Sequence, residues 1–132
     1  MHHNNQEFIG VDYGSVRVGL ARGSSVARLA EPLKTVPEAE ALAEIASIAK
    51  TNQVSGIVVG LPRNLDGKDT DQTKLVRAWA STAKEKIDLP FYWQDEALTS
   101  VAAGNANDID AAAAAVILQD FLDTPEEERV RC

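Results

Sequence analysis

Apolar and polar positions alternate along the chain in a way that predicts strands first and helices later. The predicted strands are residues 8–13, 16–22, 27–36, 54–60 and 89–93. A short turn at Gly14 and Ser15 joins the first two strands into a hairpin. Pro32 predicts that the third strand lies at an edge of the sheet, since proline cannot donate a ladder hydrogen bond. The chain should therefore begin as an antiparallel meander.

Apolar residues recur every three or four positions in three later segments, which is helical spacing. The predicted helices are residues 38–51, 71–86 and 109–122. Strand and helix alternate after the meander, and such crossovers place the later strands parallel to each other. The order β-β-β-α-β-α-β-α is similar to the ribonuclease-H-like arrangement. We expect an α/β fold with a five-stranded mixed sheet, its first three strands antiparallel, flanked by helices.

Length and composition fit a single globular domain. The chain has 132 residues, of which 45% are hydrophobic and 25% charged. We expect one domain over residues 1–132, with residues 1–6 and 124–132 as flexible termini. No apolar run approaches the roughly 20 residues that cross a bilayer, and no signal peptide is recognisable. With Cys132 as the single cysteine, no disulfide framework or zinc cluster is expected. These features predict a cytoplasmic protein without a membrane partner.

The charge balance limits how nucleic acid could be bound. There are 20 acidic and 13 basic residues, for a net charge of -7. That balance argues against broad electrostatic capture of a polyanion. A nucleic-acid partner would have to meet a local basic patch.

Asp12 is the first candidate for chemistry, because it interrupts an apolar strand. Burying a lone carboxylate is costly unless a cation compensates its charge, and a divalent metal ion does so most strongly. The alternative is a turn aspartate that caps Gly14.

Asp110 and the pair Asp95–Glu96 are further candidates. Asp110 shares one face of the last predicted helix with Ile117 and Phe121, so it should point inward. An acid in a first turn is also favoured by the helix dipole alone. Asp95 and Glu96 follow a strand, where ligands gather in open α/β sheets, although a solvated turn is the alternative. We expect Asp12, Asp110 and one of Asp95 or Glu96 to converge.

The loop over residues 60–67 also leaves the end of a strand. It offers backbone N–H groups, the Arg63 guanidinium and the Asn64 amide, which suit a phosphate or an oriented water. The alternative is a long surface connection.

Four ordered motifs resemble the YqgF/RuvX family of pre-16S ribosomal RNA nucleases and Holliday-junction-resolvase-like proteins. They are residues 10–21 (GVDYGSVRVGLA), 59–67 (VGLPRNLDG), 95–100 (DEALTS) and 109–119 (IDAAAAAVILQ). Their family patterns are G-[IV]-D-x-G-x-x-R-[IV]-G-[LV]-A, V-G-L-P-x-x-x-D-G, D-E-R-L-T-[TS] and [IV]-D-x-x-A-A-x-x-I-L-Q. The resemblance spans nearly the whole chain.

This resemblance implies a metal-dependent nuclease of structured RNA, acting in 5′-end maturation of pre-16S rRNA as a monomer or homodimer. The implied catalytic carboxylates are Asp12, Asp95, Glu96 and Asp110. Asp12, Glu96 and Asp110 are the implied ligands of Mg²⁺ or Mn²⁺, and the choice between Asp95 and Glu96 stays open. The implied phosphate contacts are Arg17, Arg63, Asn64, Lys68, Lys74 and Arg77.

Two departures from the family pattern affect which function is expected. Ala97 stands where the family has arginine, and residues 101–109 contain no basic residue. Both changes fall where substrate would be gripped. They favour the alternative of a catalytically weakened binding protein. A resolvase of branched DNA would use the same chemistry, and an actin-like nucleotide site would need a second domain.

Overall fold

A mixed sheet with helices on both faces organises the chain. The computed structural model describes residues 5–63, 67–96 and 109–132. The described elements are β1 (Glu7–Tyr13), β2 (Arg17–Ser24), β3 (Leu29–Pro37), α1 (Glu38–Asn52), β4 (Gly56–Leu61), α2 (Asp71–Lys86), β5 (Phe91–Asp95), α3 (Ile109–Asp123) and β6 (Val130–Arg131). A short 3-10 helix over Glu126–Glu128 precedes β6. Within these residues, every helix is too short or too polar to span a membrane.

The sheet order is β3-β2-β1-β4-β5-β6. β1, β2 and β3 form the predicted antiparallel meander, while β4 and β5 run parallel to β1. The expected α/β architecture is confirmed, but the described sheet has six strands and not five. The sixth comes from the segment 124–132 that was expected to be a flexible terminus, and it pairs Val130 with Trp93. A two-residue strand has no periodicity by which a sequence could reveal it.

Strand direction brings the candidate residues to one edge of the sheet. Because β1, β4 and β5 are parallel, their carboxyl ends lie side by side. Asp12 is near the end of β1, and Asp95 is the last residue of β5. The edge where ligands bind in open α/β sheets is therefore the edge that carries these acids.

The two faces of the sheet hold two separate cores. One core packs α1 and α2 against side chains such as Val11 and Ile57. The other packs α3 against Phe8 and Val58. Because successive residues of a strand point to opposite faces, Asp12 shares the α3 face with Phe8. The third helix and the first aspartate consequently lie on the same side.

Glycines let α3 lie unusually close to the sheet. A Cβ added to Gly19 would be 1.9 Å from the carbonyl oxygen of Asp110, and one added to Gly10 would be 2.8 Å from that of Ala114. Both positions face the backbone of α3, so a side chain at either position would fit only if the helix moved away from the sheet. Gly19 is also the residue paired with Asp12 across the hairpin. The start of α3 is thus held directly beside Asp12.

Replacing Gly19 by alanine should therefore shift the first turn of α3 and destabilise the fold. Because the clash is with backbone, we expect the free energy of unfolding to fall by at least about 2 kcal/mol. The matched control is Gly56→Ala, where the added Cβ would be 3.1 Å from ring atoms of Phe8 and Tyr92. Urea denaturation of the three proteins measures the difference. Equal losses in both variants would contradict the special role of Gly19.

Candidate active site

Asp12 and Glu96 form a pair of facing carboxyl groups at the sheet edge. Glu96 directly follows β5, and its backbone N–H donates to the carbonyl oxygen of Leu61 in β4 at 3.2 Å. This bond turns the Glu96 side chain over Gly60, where an added Cβ would be 2.8 Å from its Oε1 atom. Both acids are half-buried, and a hydrogen bond connects their side chains. A missing side chain at Gly60 makes the room for this pair.

Burial makes it costly for both acids of this pair to be ionised. It is the largest cause that raises the pKa of Asp12 to about 8, followed by the charge of Glu96, the hydrogen bond to Glu96 and the charge of Asp110. Burial also raises the pKa of Glu96, while the hydrogen bond from Asp12 opposes that rise. At neutral pH the pair therefore shares a proton that Asp12 donates to the Glu96 carboxylate.

Asp110 lies on the same face, but its carboxylate is bound to an arginine. The Arg17 Nε–H donates to Asp110 Oδ2 at 2.9 Å. Among the residues that the structure describes, no three His, Cys, Asp or Glu side chains are grouped so as to hold a metal ion. The expected convergence is consequently incomplete: Asp12 and Glu96 meet, and Asp110 stands beside them engaged with Arg17. Arg17 and Asp110 are 93 positions apart in the sequence, so no local pattern could have revealed this ion pair.

Asp95 points to the opposite face of the sheet from Glu96. Its carboxylate accepts a hydrogen bond from Arg63 Nη2 at 2.5 Å, and its side chain is 68% exposed. The alternation of the strand explains this, because Asp95 has the parity of Trp93, which packs against the α1 and α2 core. Glu96, and not Asp95, is the acid of this pair that faces Asp12.

Most of the basic side chains expected to bind phosphate are held by acids. Arg17 pairs with Asp110, Arg63 with Asp95, and Arg77 with Asp69 at 2.8 Å. Lys68 lies just before α2 and Lys74 lies in its first turn, and both lysines are exposed. Asn64, Ala97 and residues 101–108 lie outside the described residues. Asp69 is not among the residues predicted from the sequence, where its one signal is its position eight residues before Arg77.

A family model described as "RuvX: Holliday junction resolvase" matches residues 6–124. The chain belongs to the RuvX family. The match covers every element from β1 to α3, including the positions of Asp12, Glu96 and Asp110. The resemblance seen in the four sequence motifs is confirmed.

Curated relatives are similar to this chain over nearly their full length. A protein of Rickettsia akari (strain Hartford), named "Putative pre-16S rRNA nuclease", is 35% identical over 135 residues, covering 91% of this chain and 88% of the relative. Its namesake from Rickettsia felis (strain ATCC VR-1525 / URRWXCal2) is 36% identical with the same coverage.

Two solved structures share the fold of this RuvX protein. Thermus thermophilus RuvC matches with a TM-score of 0.62 at 11% identity, covering 96% of this chain and 100% of that one. RuvC of the same organism, solved in complex with a Holliday junction substrate, matches with a TM-score of 0.61 at 13% identity, covering 96% and 99%. At such low identity these matches establish the fold.

The raised pKa of Asp12 makes stability depend on pH. The folded protein holds a proton on Asp12 that the unfolded chain releases above about pH 4, so the free energy of unfolding should fall as pH rises toward 8. One such proton contributes a slope of about 1.4 kcal/mol per pH unit. Asp12→Asn should remove this part of the decline, so the variant gains stability over the unmodified protein as pH rises.

Urea denaturation between pH 5 and 8, with a chelator present, measures this difference. Asp88→Asn is the matched control, because Asp88 is exposed. Parallel pH profiles for Asp12→Asn and the unmodified protein would show that Asp12 does not hold a proton in the folded state.

Proposed function

We propose that this RuvX protein is a divalent-metal-dependent nuclease that cleaves phosphodiester bonds of structured RNA. The observation that carries the proposal is the half-buried, hydrogen-bonded Asp12–Glu96 pair, with Asp110 beside it at the carboxyl edge of the sheet. A location in the cytoplasm and a monomeric or homodimeric state belong to the same proposal.

The chemistry of the donors fits Mg²⁺ or Mn²⁺. All three side chains offer carboxylate oxygens, the ligands that such hard cations prefer. Burial and mutual repulsion raise the pKa of Asp12, and a bound cation would relieve both effects. Asp12, Glu96 and Asp110 are the proposed ligands. When bound, the metal supplies water activation and neutralises charge on the scissile phosphate.

The chain itself supplies the placement of these groups. The contact of α3 with Gly19 fixes the backbone of Asp110, and the hydrogen bond from Glu96 to Leu61 fixes that of Glu96. Asp12 would have to lose its proton to act as a ligand, since only carboxylate binds metal well. Asp95 takes no part in the chemistry of this proposal, and its carboxylate binds Arg63 instead.

Pre-16S rRNA is the proposed substrate because the curated relatives are named "Putative pre-16S rRNA nuclease". Their similarity to this chain extends over nearly their full length. A branched DNA junction is the second candidate. It is favoured by the description of the family model and by the RuvC fold. The two substrates use the same carboxylates, so only cleavage assays on both separate them.

Removing either member of the carboxyl pair should abolish cleavage without unfolding the protein. We expect Asp12→Asn and Glu96→Gln to lose at least about a hundredfold in rate, because each removes a metal ligand. Asp95→Asn should lose less than about tenfold, because it only loosens Arg63. Single-turnover cleavage with Mn²⁺ measures the rates on a precursor RNA carrying the 16S 5′ end and on a four-way DNA junction. Undiminished cleavage by Asp12→Asn would refute the proposed site.

RNA binding should be weak and only shallowly dependent on salt. Arg17, Arg63 and Arg77 are engaged by acids, and each phosphate that is not neutralised removes about 0.7–0.9 from the log–log slope. Ala97→Arg restores the arginine of the family pattern and should tighten binding and steepen the slope. Fluorescence anisotropy across a salt series, with a chelator present, compares both proteins. Tight, steeply salt-dependent binding by the unmodified protein would contradict this expectation and show that arginines such as Arg63 and Arg77 leave their acids to bind phosphate.

A further inference from the structure

Arg17 bridges the β1–β2 hairpin and the first turn of α3. It is the first residue of β2, just after the turn that follows Asp12 and Tyr13. Its side chain is 66% exposed, whereas that of its partner Asp110 is 27% exposed. The guanidinium therefore lies on the solvent side of the carboxyl group, where a substrate would approach.

The three acids of the site differ in how their charge is compensated. Asp110 has the Arg17 guanidinium, but within the described parts of the chain no ion pair includes Asp12 or Glu96. Asp110 Oδ2 is thus already bound by a protein cation, and no three acids of the described residues are grouped to hold a metal ion. In this ion pair, a metal ion would compete with Arg17 for the Asp110 carboxylate. A phosphate would compete with Asp110 for the Arg17 guanidinium.

We propose that Arg17 is an exchangeable counter-ion, which binds Asp110 in the metal-free protein and transfers to a substrate phosphate when Asp110 joins the metal. The inference rests on the proposed function. An ion pair this exposed is weak, so a divalent cation can displace it. The freed guanidinium then has a strong, bidentate partner in a phosphate group.

This exchange couples metal binding to nucleic-acid binding. Arg17 opposes the metal and assists the substrate, so its removal should have opposite effects on the two affinities. Thermodynamic linkage requires the coupling to be reciprocal. A purely structural role, in which Arg17 holds Asp110 in place for the metal, predicts the reverse effect on metal affinity.

Isothermal titration with Mn²⁺ alone measures the first effect. We expect Arg17→Gln to bind Mn²⁺ about twofold to tenfold more tightly than the unmodified protein. Arg17→Lys keeps the cation and should stay close to the unmodified protein. The matched control is Arg28→Gln: Arg28 is 64% exposed and pairs with Asp123 at the other end of α3, so Mn²⁺ affinity should not change.

Anisotropy titration with the precursor RNA measures the second effect. With a chelator present, Arg17 is held by Asp110, so Arg17→Gln should change RNA affinity by less than about twofold. With Ca²⁺ in place of Mn²⁺ to occupy the site, the same substitution should weaken RNA binding about tenfold, because a charge-assisted hydrogen bond is lost.

The outcomes separate the inference from the proposed function. Equal or weaker Mn²⁺ binding by Arg17→Gln, in a protein that does bind Mn²⁺ and cleave RNA, would overturn the exchange and leave the nuclease standing. Equal RNA effects with chelator and with Ca²⁺ would overturn it too. An unmodified protein that binds no Mn²⁺ would overturn both proposals.

Discussion

The close contact between the first turn of α3 and Gly19 of β2 is the constraint on which the site depends. Because Gly19 has no side chain, the backbone of Asp110 rests on the strand that pairs with β1 at Asp12. Helix packing and site geometry are therefore one interaction. Gly60 serves the same purpose on the other side of Asp12, where it makes room for the Glu96 carboxylate.

A second constraint is electrostatic. The protein gathers acids at the edge of a sheet, and it compensates them unequally: Asp110 and Asp95 have arginine partners, while burial and mutual repulsion raise the pKa of Asp12. In the proposed function this site takes up a cation, and its arginines are not free to bind phosphate while the acids hold them. Metal binding and substrate binding in this RuvX protein should consequently be linked through shared charges.

Much of this arrangement could be predicted from the sequence. Periodicity gave β1, α2 and α3 within one or two residues, and the helix face shared with Ile117 indicated that Asp110 points inward. The two-residue strand β6 could not be predicted, because it exists only through pairing with β5. The sequence left the choice between Asp95 and Glu96 open. That choice depends on where β5 ends and on which face of the sheet each of the two side chains lies. The Arg17–Asp110 pair joins residues too distant for any local pattern to connect.

A crystal structure of the protein soaked in millimolar Mn²⁺, with anomalous diffraction recorded, tests the central claim most directly. We expect an anomalous peak bound by Asp12 and Glu96, with the Asp110 carboxylate turned from Arg17 toward it. No peak at these carboxylates, with Asp110 still bound to Arg17, would contradict the assignment of a metal-dependent nuclease site.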